Sequence, residues 1–395
     1  MKQDWEIKSI SDVCLSLDDG DWIEKKNQSA KGIRLIQTGN IGCGEYRDKS
    51  EKAKYISEET FRTLKCTEVV AGDILVSRLP DPVGRACIVP YLSTKCITAV
   101  DCSIVKLNPK IISAKWFIYY TLSAEYKTKV IAECSGTTRD RISRKKLSVI
   151  SLPIPPLAEQ ERIVEILDRE FERIDALKVN AEQNMQHAKD LFQAALRQEL
   201  QPKEGWITLQ IGNVCELKQG LAINAKTKYL LVEKSQLPLL RIKDLKDGTR
   251  EIFVNESECP QGCRAYPEDI IYTRTGTLGL VFTGAYGVMH NNCFKIEIDK
   301  EKIDKYYLMY YLQQDSFRNN IIKLASRAAQ PDITHKLFKE QIIHFPTIAE
   351  QVAIIHKLSD IREHCTALED NYKKTIALCD AMKQALLRKA FNGEL

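Results

Sequence analysis

The sequence is poor in what most enzymes need. Six histidines stand among 395 residues, and none shows the spacing of a metal-ligand set. A Gly-Lys-Ser/Thr triplet is missing, which excludes a phosphate-cradling motor loop. A glycine-rich cofactor loop opening a helix is also missing, because Gly42-Cys43-Gly44 lacks a third glycine and follows no clear strand. The one Pro-Pro pair, Pro155-Pro156, lies between Ile154 and Leu157. It therefore lacks the polar residue before it and the aromatic after it that grip a flipped adenine. Carboxylate–x–Lys triplets such as Glu6-Ile7-Lys8 and Asp244-Leu245-Lys246 are expected by chance in a chain that is 28% charged. No apolar run approaches the ~18–20 residues of a membrane helix, and no apolar segment follows the Met1–Trp5 start. These absences predict a soluble, cytoplasmic protein with no catalytic residue, no bound metal and no cofactor of its own.

What is present is less exotic. Net charge is +5, which permits nucleic-acid binding without demanding it. The thirteen cysteines are scattered and odd in number, so reduced thiols are expected. Cys259 and Cys263, with distant His290, lack the paired spacing of a structural zinc site.

The dominant feature is an internal repeat. Ile142-Ser143, Pro155 and Ala158-Glu159-Gln160 recur 191 positions later as Ile333-Thr334, Pro346 and Ala349-Glu350-Gln351. Tyr119-Tyr120 meets Tyr310-Tyr311, and Leu196-Arg197 meets Leu387-Arg388, at the same offset. Upstream the match loosens and needs gaps. LIQTGNI (35–41) corresponds to LLRIKDL (239–245), and GDILVSR (72–78) to EDIIYTR (268–274). Each half has a variable front and a nearly constant back.

The fronts read as short strands separated by turn signals such as Asp18-Asp19-Gly20 and Pro80-Asp81-Pro82. A helix follows near 114–132 and again near 305–324. Its aromatic clusters (Trp116, Phe117, Tyr119, Tyr120; Tyr306, Tyr307, Tyr310, Tyr311) are read as core rather than as a stacking platform. Long helices are then predicted from Ala158 to Leu200 and from Ala349 to Phe391. Heptad rows mark both: Leu167, Ile174, Ala181, Ala188 and Ala195 with Ile163, Leu177 and Leu191; then Leu358, Cys365, Tyr372, Cys379 and Leu386 with Ile354, Ile361, Leu368 and Met382. A seam needs a partner helix, and the obvious partner is the twin. Antiparallel packing would give a rod of ~60 Å at roughly 1.5 Å per residue, with a globular front at each end. Two readings remain open on these patterns alone: a bipartite DNA reader, or a coiled-coil scaffold with two protein-binding lobes.

The back sections carry a resemblance. Ile154-Pro155-Pro156-Leu157-Ala158-Glu159-Gln160-Glu161-Arg162-Ile163-Val164-Glu165-Ile166-Leu167-Asp168, the preceding Ser135-Gly136-Thr137-Thr138, and the closing Leu387-Arg388-Lys389-Ala390-Phe391-Asn392-Gly393-Glu394-Leu395 resemble the Type I restriction–modification specificity (S) subunit family. The second copy departs from the motif at Ser326-Arg327-Ala328-Ala329-Gln330 and at Phe345-Pro346-Thr347-Ile348. The resemblance implies an α+β chain with two pseudo-symmetric α/β target-recognition domains, 1–152 and 202–343. Two long spacer helices, 153–201 and 344–395, would separate them as an antiparallel coiled coil. It implies double-stranded DNA, two methyltransferase subunits and motor–nuclease subunits as partners, and no chemistry in the chain itself. A Type IIB-like specificity subunit, a non-DNA coiled-coil adaptor and a self-sufficient modification enzyme are the alternatives.

Candidate DNA contacts are the basic and amide side chains of the front sections, because Arg reads guanine, Asn and Gln read adenine, and Lys and Arg hold phosphates. In the first half these are Trp22, Lys25, Lys26, Arg34, Gln37, Arg78, Arg85, Arg139, Arg141 and Arg144. In the second they are Arg241, Lys243, Arg274, Arg327, Gln330 and His335. Arg78 and Arg274 follow equivalent strands and are favoured most.

Overall fold

Side-chain caps open the short helices at matching places in both halves. Ser113 accepts from the Trp116 N–H at the start of Ala114–Leu122, and Asp304 accepts from the Tyr306 N–H at the start of Lys305–Gln313. Ser143 and Thr334 do the same for Arg144–Ser148 and His335–Lys339. Such caps satisfy N–H groups that the helix itself leaves unpaired. The cap residues and the helix bounds obey the 191-residue offset. The structure is a computed structural model that describes residues 4–135, 140–327 and 330–395. It divides into two compact units, Met1–Ala181 with Lys374–Leu395, and Glu182–Lys373.

The first unit contains a four-stranded antiparallel sheet in the order Cys14–Asp19, Cys102–Leu107, Ile74–Ser77, Ala86–Ile88. A second sheet runs Gln28–Ser29, Lys54–Ile56, Ile33–Ile36, Cys96–Thr98, and its last pair is parallel. Glu6–Ser9 pairs with Ser151–Ile154 and so ties the chain start to the entry of the first long helix, Leu157–Glu199. The main core gathers Ile74, Val76, Trp116, Phe117, Tyr120, Ile163, Leu167 and Phe391. Trp116, Phe117 and Tyr120 are therefore core with Tyr119 half-buried beside them, whereas in the second cluster Tyr306 departs from the expectation at 47% exposed. Trp116 packs edge-on to Phe391 at 4.8 Å, and its Nε1–H donates to the Pro153 carbonyl at 3.0 Å.

The second unit repeats this plan. Cys215–Gln219, Cys293–Ile298, Ile270–Thr273 and Val281–Phe282 form its antiparallel sheet. Leu239–Leu240, Gly287–Met289 and Arg264–Ala265 form a smaller mixed one. Ile207–Gln210 pairs with Ile342–Phe345 at the entry of the second long helix, Ile348–Asn392. Tyr307 stands where Trp116 stands, and its hydroxyl donates to the His344 carbonyl at 2.8 Å.

Within each unit, segments of the two long helices pack antiparallel. In the first, Lys178 pairs with Asp380 at 2.7 Å and Asp175 with Lys383 at 2.5 Å. In the second, Glu199 pairs with Lys357 at 2.5 Å, and the Arg362 guanidinium lies 4.9 Å from the Phe192 ring centre. Most of one heptad row is buried as expected: Leu167, Ile174, Ala181, Ala188, Leu358, Cys365 and Cys379 are at most 4% exposed, whereas Ala195, Tyr372 and Leu386 are half-buried. The other row keeps Ile163 buried and Ile354 and Ile361 packed on the core, but departs from expectation further along. Leu177 and Leu191 are 52% and 55% exposed, and their repeat partners Leu368 and Met382 are 40% and 41% exposed. Glu170 and Asn184, the polar interruptions in that row, mark where it turns outward.

All thirteen cysteines are free thiols. Among the described residues no group of His, Cys, Asp and Glu side chains could hold a metal ion, and no helix is long and apolar enough to cross a membrane.

Candidate nucleic-acid interface

In both units the strand that follows the Gly-Asp or Glu-Asp turn is followed directly by an arginine that organises its surroundings. Arg78 comes directly after Ile74–Ser77 and is 5% exposed. Its Nη1 donates to Asp19 Oδ1 at 2.6 Å, and its Nη2 to the Val100 carbonyl at 2.6 Å. Its backbone N–H reaches the Asp101 carbonyl, and its own carbonyl accepts from Ile142 N–H at 3.2 Å. One residue thus joins the end of Cys14–Asp19, the 99–102 turn and the segment that follows Arg141.

Arg274 repeats the arrangement after Ile270–Thr273. Its backbone N–H bonds the Asn292 carbonyl, and its carbonyl accepts from Ile333 N–H at 3.0 Å. Nη1 donates to Gln219 Oε1 at 2.9 Å. Gln219 ends its strand just before Gly220, as Asp19 does before Gly20. Neither glycine has room for a Cβ, which would meet a carbonyl oxygen at 2.3 Å in one case and 2.2 Å in the other. Arg274 adds a two-pronged grip on the Asp332 carboxylate, with Nε at 2.8 Å from Oδ1 and Nη2 on Oδ2. Asp332 occupies the repeat position of Arg141, so charge is inverted there.

Around Arg78 the first unit assembles two more arginines. Arg141 Nη2 lies 2.9 Å from Asp101 Oδ1, and its backbone forms a bridge with Ser135. Arg144 Nη1 donates to the Leu17 carbonyl at 3.1 Å, and its Nε lies 3.5 Å from Asp19. Both arginines are solvent-exposed at the surface. Arg139 lies outside the described residues.

Arg34 and Arg85 are buried. Arg34, 8% exposed, lies on the strand Ile33–Ile36 and bonds Asp48 at 2.5 Å. Arg85 bonds five backbone carbonyls, those of Thr38, Ile41, Leu79, Pro80 and Pro82, at 2.7 to 3.1 Å. Burial pushes its pKa down, more than nearby groups such as Asp81 raise it. These two, with Arg78, build loops rather than a surface. Gln37 is half-buried, and its N–H is capped by the Asn40 side chain at 3.0 Å. By contrast Trp22 is 70% exposed, and Lys25 and Lys26 stand nearby on the short turn Lys25–Asn27, Lys26 beside Glu24.

In the second unit Arg241 caps the helix Ile242–Asp247 through Asp244, and also bonds Glu251 at 2.7 Å. Lys243 reaches the same Glu251 at 2.9 Å. Burial raises the Asp244 pKa, but the Arg241 guanidinium, the Thr249 hydroxyl and the Arg241 N–H outweigh it and hold the carboxyl down at about 2. Arg327 and Gln330 are exposed. His335 opens His335–Lys339 with its ring 5.2 Å from Phe294, and burial pushes its pKa down.

Asp19, Gln219 and Asp332, the partners that fix the favoured arginines, are not among the candidate contacts the sequence singles out. The one available signal is the repeat register, which sets Asp332 opposite Arg141.

A duplicated α/β lobe closed by long continuous helices, with an arginine-centred corner in each copy, defines a tandem-repeat protein of two equivalent domains. The chain belongs to the family described as the Type I restriction modification DNA specificity domain, whose model matches residues 2–184 and again 203–378. It is similar to the Type I restriction enzyme EcoKI specificity subunit of Escherichia coli (strain K12), 25% identical over 337 residues that cover 77% of this chain and 70% of that protein. It also resembles the putative MjaX specificity subunit of Methanocaldococcus jannaschii, at 21% identity over 91% of this chain and 87% of the relative. Among solved structures, a chain from a type I R-M system matches with a TM-score of 0.81, 20% identity and coverage of 100% and 99%. The HsdS subunit of Thermoanaerobacter tengcongensis matches with a TM-score of 0.52 and 19% identity, covering 100% of this chain and 98% of that one. The chain is thus a Type I specificity subunit, concerned with recognition of a DNA target.

Proposed function

We propose that the chain reads a bipartite DNA sequence, one half with residues 1–152 and the other with 202–343, and contributes no catalysis. The spacer helices, 153–201 and 344–395, fix the gap between the half-sites. They also dock two methyltransferase subunits, to which motor–nuclease subunits add. The observation that carries this reading is the repeated frame: the same joint between lobe and helix is built twice, with the same hydrogen bonds, under front sections that differ in sequence. One scaffold presenting two different surfaces is what a split target requires. The exposed apolar pairs Leu177 with Leu368 and Leu191 with Met382 support the docking role, because they lie on the helices at repeat-equivalent positions.

Trp22, Lys25, Lys26, Arg141, Arg144, Lys243, Arg327 and Gln330 are accessible and are the proposed direct contacts, joined on sequence grounds by Arg139. Arg34, Arg78, Arg85, Arg241 and Arg274, held by internal partners, shape the loops, and Gln37 and His335 lie at their edge. Co-expression with methyltransferase subunits followed by methylome sequencing tests the reading. A split methylated adenine motif is expected. Its absence, with duplex binding no better than a neutral control at low salt, rejects the reading. Methylation by the chain alone would make it an enzyme.

A further inference from the structure

Of the two arginines favoured on sequence grounds, Arg78 is buried and Arg274 half-buried, and their carboxylate partners would repel a phosphate backbone. That combination suits positioning better than contact. We propose that Arg274 with Asp332, and Arg78 with Asp19, are positioning residues that determine specificity. In each corner the arginine holds the segment entering His335–Lys339 or Arg144–Ser148 through its backbone carbonyl, and for Arg274 also through Asp332, while its side chain grips the end of the first strand of the sheet. This inference rests on the bipartite-reader function proposed above.

The geometry supports the idea in three ways. First, each arginine uses both backbone and side chain, so it fixes three segments that are distant in sequence. Arg274 links residues 219, 292 and 332–333; Arg78 links 19, 100–101 and 142. Second, the guanidinium is planar and forked, so a two-pronged carboxylate grip sets orientation as well as distance. Third, the anchored segments carry the accessible candidates. Arg141 precedes Ile142 directly, and Gln330 lies two residues before Asp332. Base readout depends on sub-ångström placement of such side chains, whereas phosphate attraction does not. Loosening the pair should therefore degrade sequence discrimination more than affinity.

The two units use different chemistry for the same joint. The second grips a carboxylate in the anchored segment itself, Asp332. The first grips Asp19 on the strand, while Arg141 in the anchored segment pairs with Asp101. Each joint should hence be separable by mutation.

The experiment is co-expression of the full chain with its methyltransferase subunits, comparing D332N, R274K and R78K with the unaltered chain by methylome sequencing and by duplex binding. The expected result for D332N and R274K is at least tenfold loss of discrimination confined to one half-site. Binding to unrelated duplex should be unchanged or, for D332N, stronger, because a negative charge has gone. R78K should relax the other half-site. Equal relaxation of both halves, or unaltered discrimination in a folded variant, overturns the proposal. Should R274K fail to fold, D332N supplies the same reading with an isosteric side chain, and an intact first half-site reports that the complex assembled. If the unaltered chain produces no split motif, the bipartite-reader function fails instead, which separates the two outcomes.

Discussion

Gln160 and Gln351 make the same three hydrogen bonds in the two units. Each is fully buried at the start of its long helix. Gln160 Nε2 donates to the carbonyls of Ile111 and Pro155, both at 2.8 Å, and its Oε1 accepts from Ser113 N–H at 2.9 Å. Gln351 does this with Lys302, Pro346 and Asp304, at 3.0, 2.9 and 2.7 Å. Helix and lobe are thereby riveted through one side chain. Q160A leaves three backbone groups without partners and should cost about 2–4 kcal/mol. Denaturant unfolding followed by the near-ultraviolet signal of Trp116 checks it. Q351A should weaken the second unit by a similar amount, read from the fluorescence of Trp206. A loss under 0.5 kcal/mol, on the order of a surface change, would mean that the rivet is ornamental.

Arg85 offers a test in which charge is kept and geometry lost. Its fork serves five carbonyls, and a lysine ammonium can satisfy at most three acceptors. R85K should destabilise the first unit by about 2–4 kcal/mol. Thermal melting of the variant would show it as a lowered first transition, and an unchanged midpoint would contradict the assignment.

Acid should loosen the second unit through Asp244. Its carboxyl is held at about 2, below its ordinary value of 3.8. A depressed carboxylate contributes stability that is present above pH ~4 and is lost as pH falls toward ~2. The variant D244N should remove that part of the acid sensitivity while lowering stability at neutral pH. Comparison of the two unfolding curves from pH 5 to pH 2 is the check.

Lys25, Lys26 and Arg144 are exposed and are proposed to face phosphates. Replacing any one by alanine should weaken binding to all duplexes about equally. It should also reduce the slope of log affinity against log salt by about 0.9. Titration at several salt concentrations measures this. A change in sequence preference without a change in slope would assign the residue to base reading instead.

Much of this architecture is legible in the sequence because it is periodic or repeated. The long helices show themselves through heptads free of proline and glycine. The duplication shows through one constant offset, which also brings Gln160 and Gln351, or Tyr120 and Tyr311, to identical roles. Tyr120 donates to the Ser151 carbonyl and Tyr311 to that of Ile342, again 191 residues apart. Exposure is what the sequence conceals. An arginine after a strand looks the same whether it faces solvent or, like Arg78, turns inward onto Asp19. Leu177 and Leu191 fit a seam by spacing, yet two helices that meet along one row leave the other row to solvent. The long-range partners Asp19 and Asp332 come from segments whose approach only the folded sheet determines.

Two equivalent lobes are proposed to read two halves of one target. The most direct test exchanges residues 1–150 for the corresponding lobe of another specificity subunit, expresses the hybrid with its methyltransferase subunits, and sequences the methylome. The expected result is a split motif in which one half changes and the other half and the gap stay the same. A change in both halves, or in neither, would contradict it.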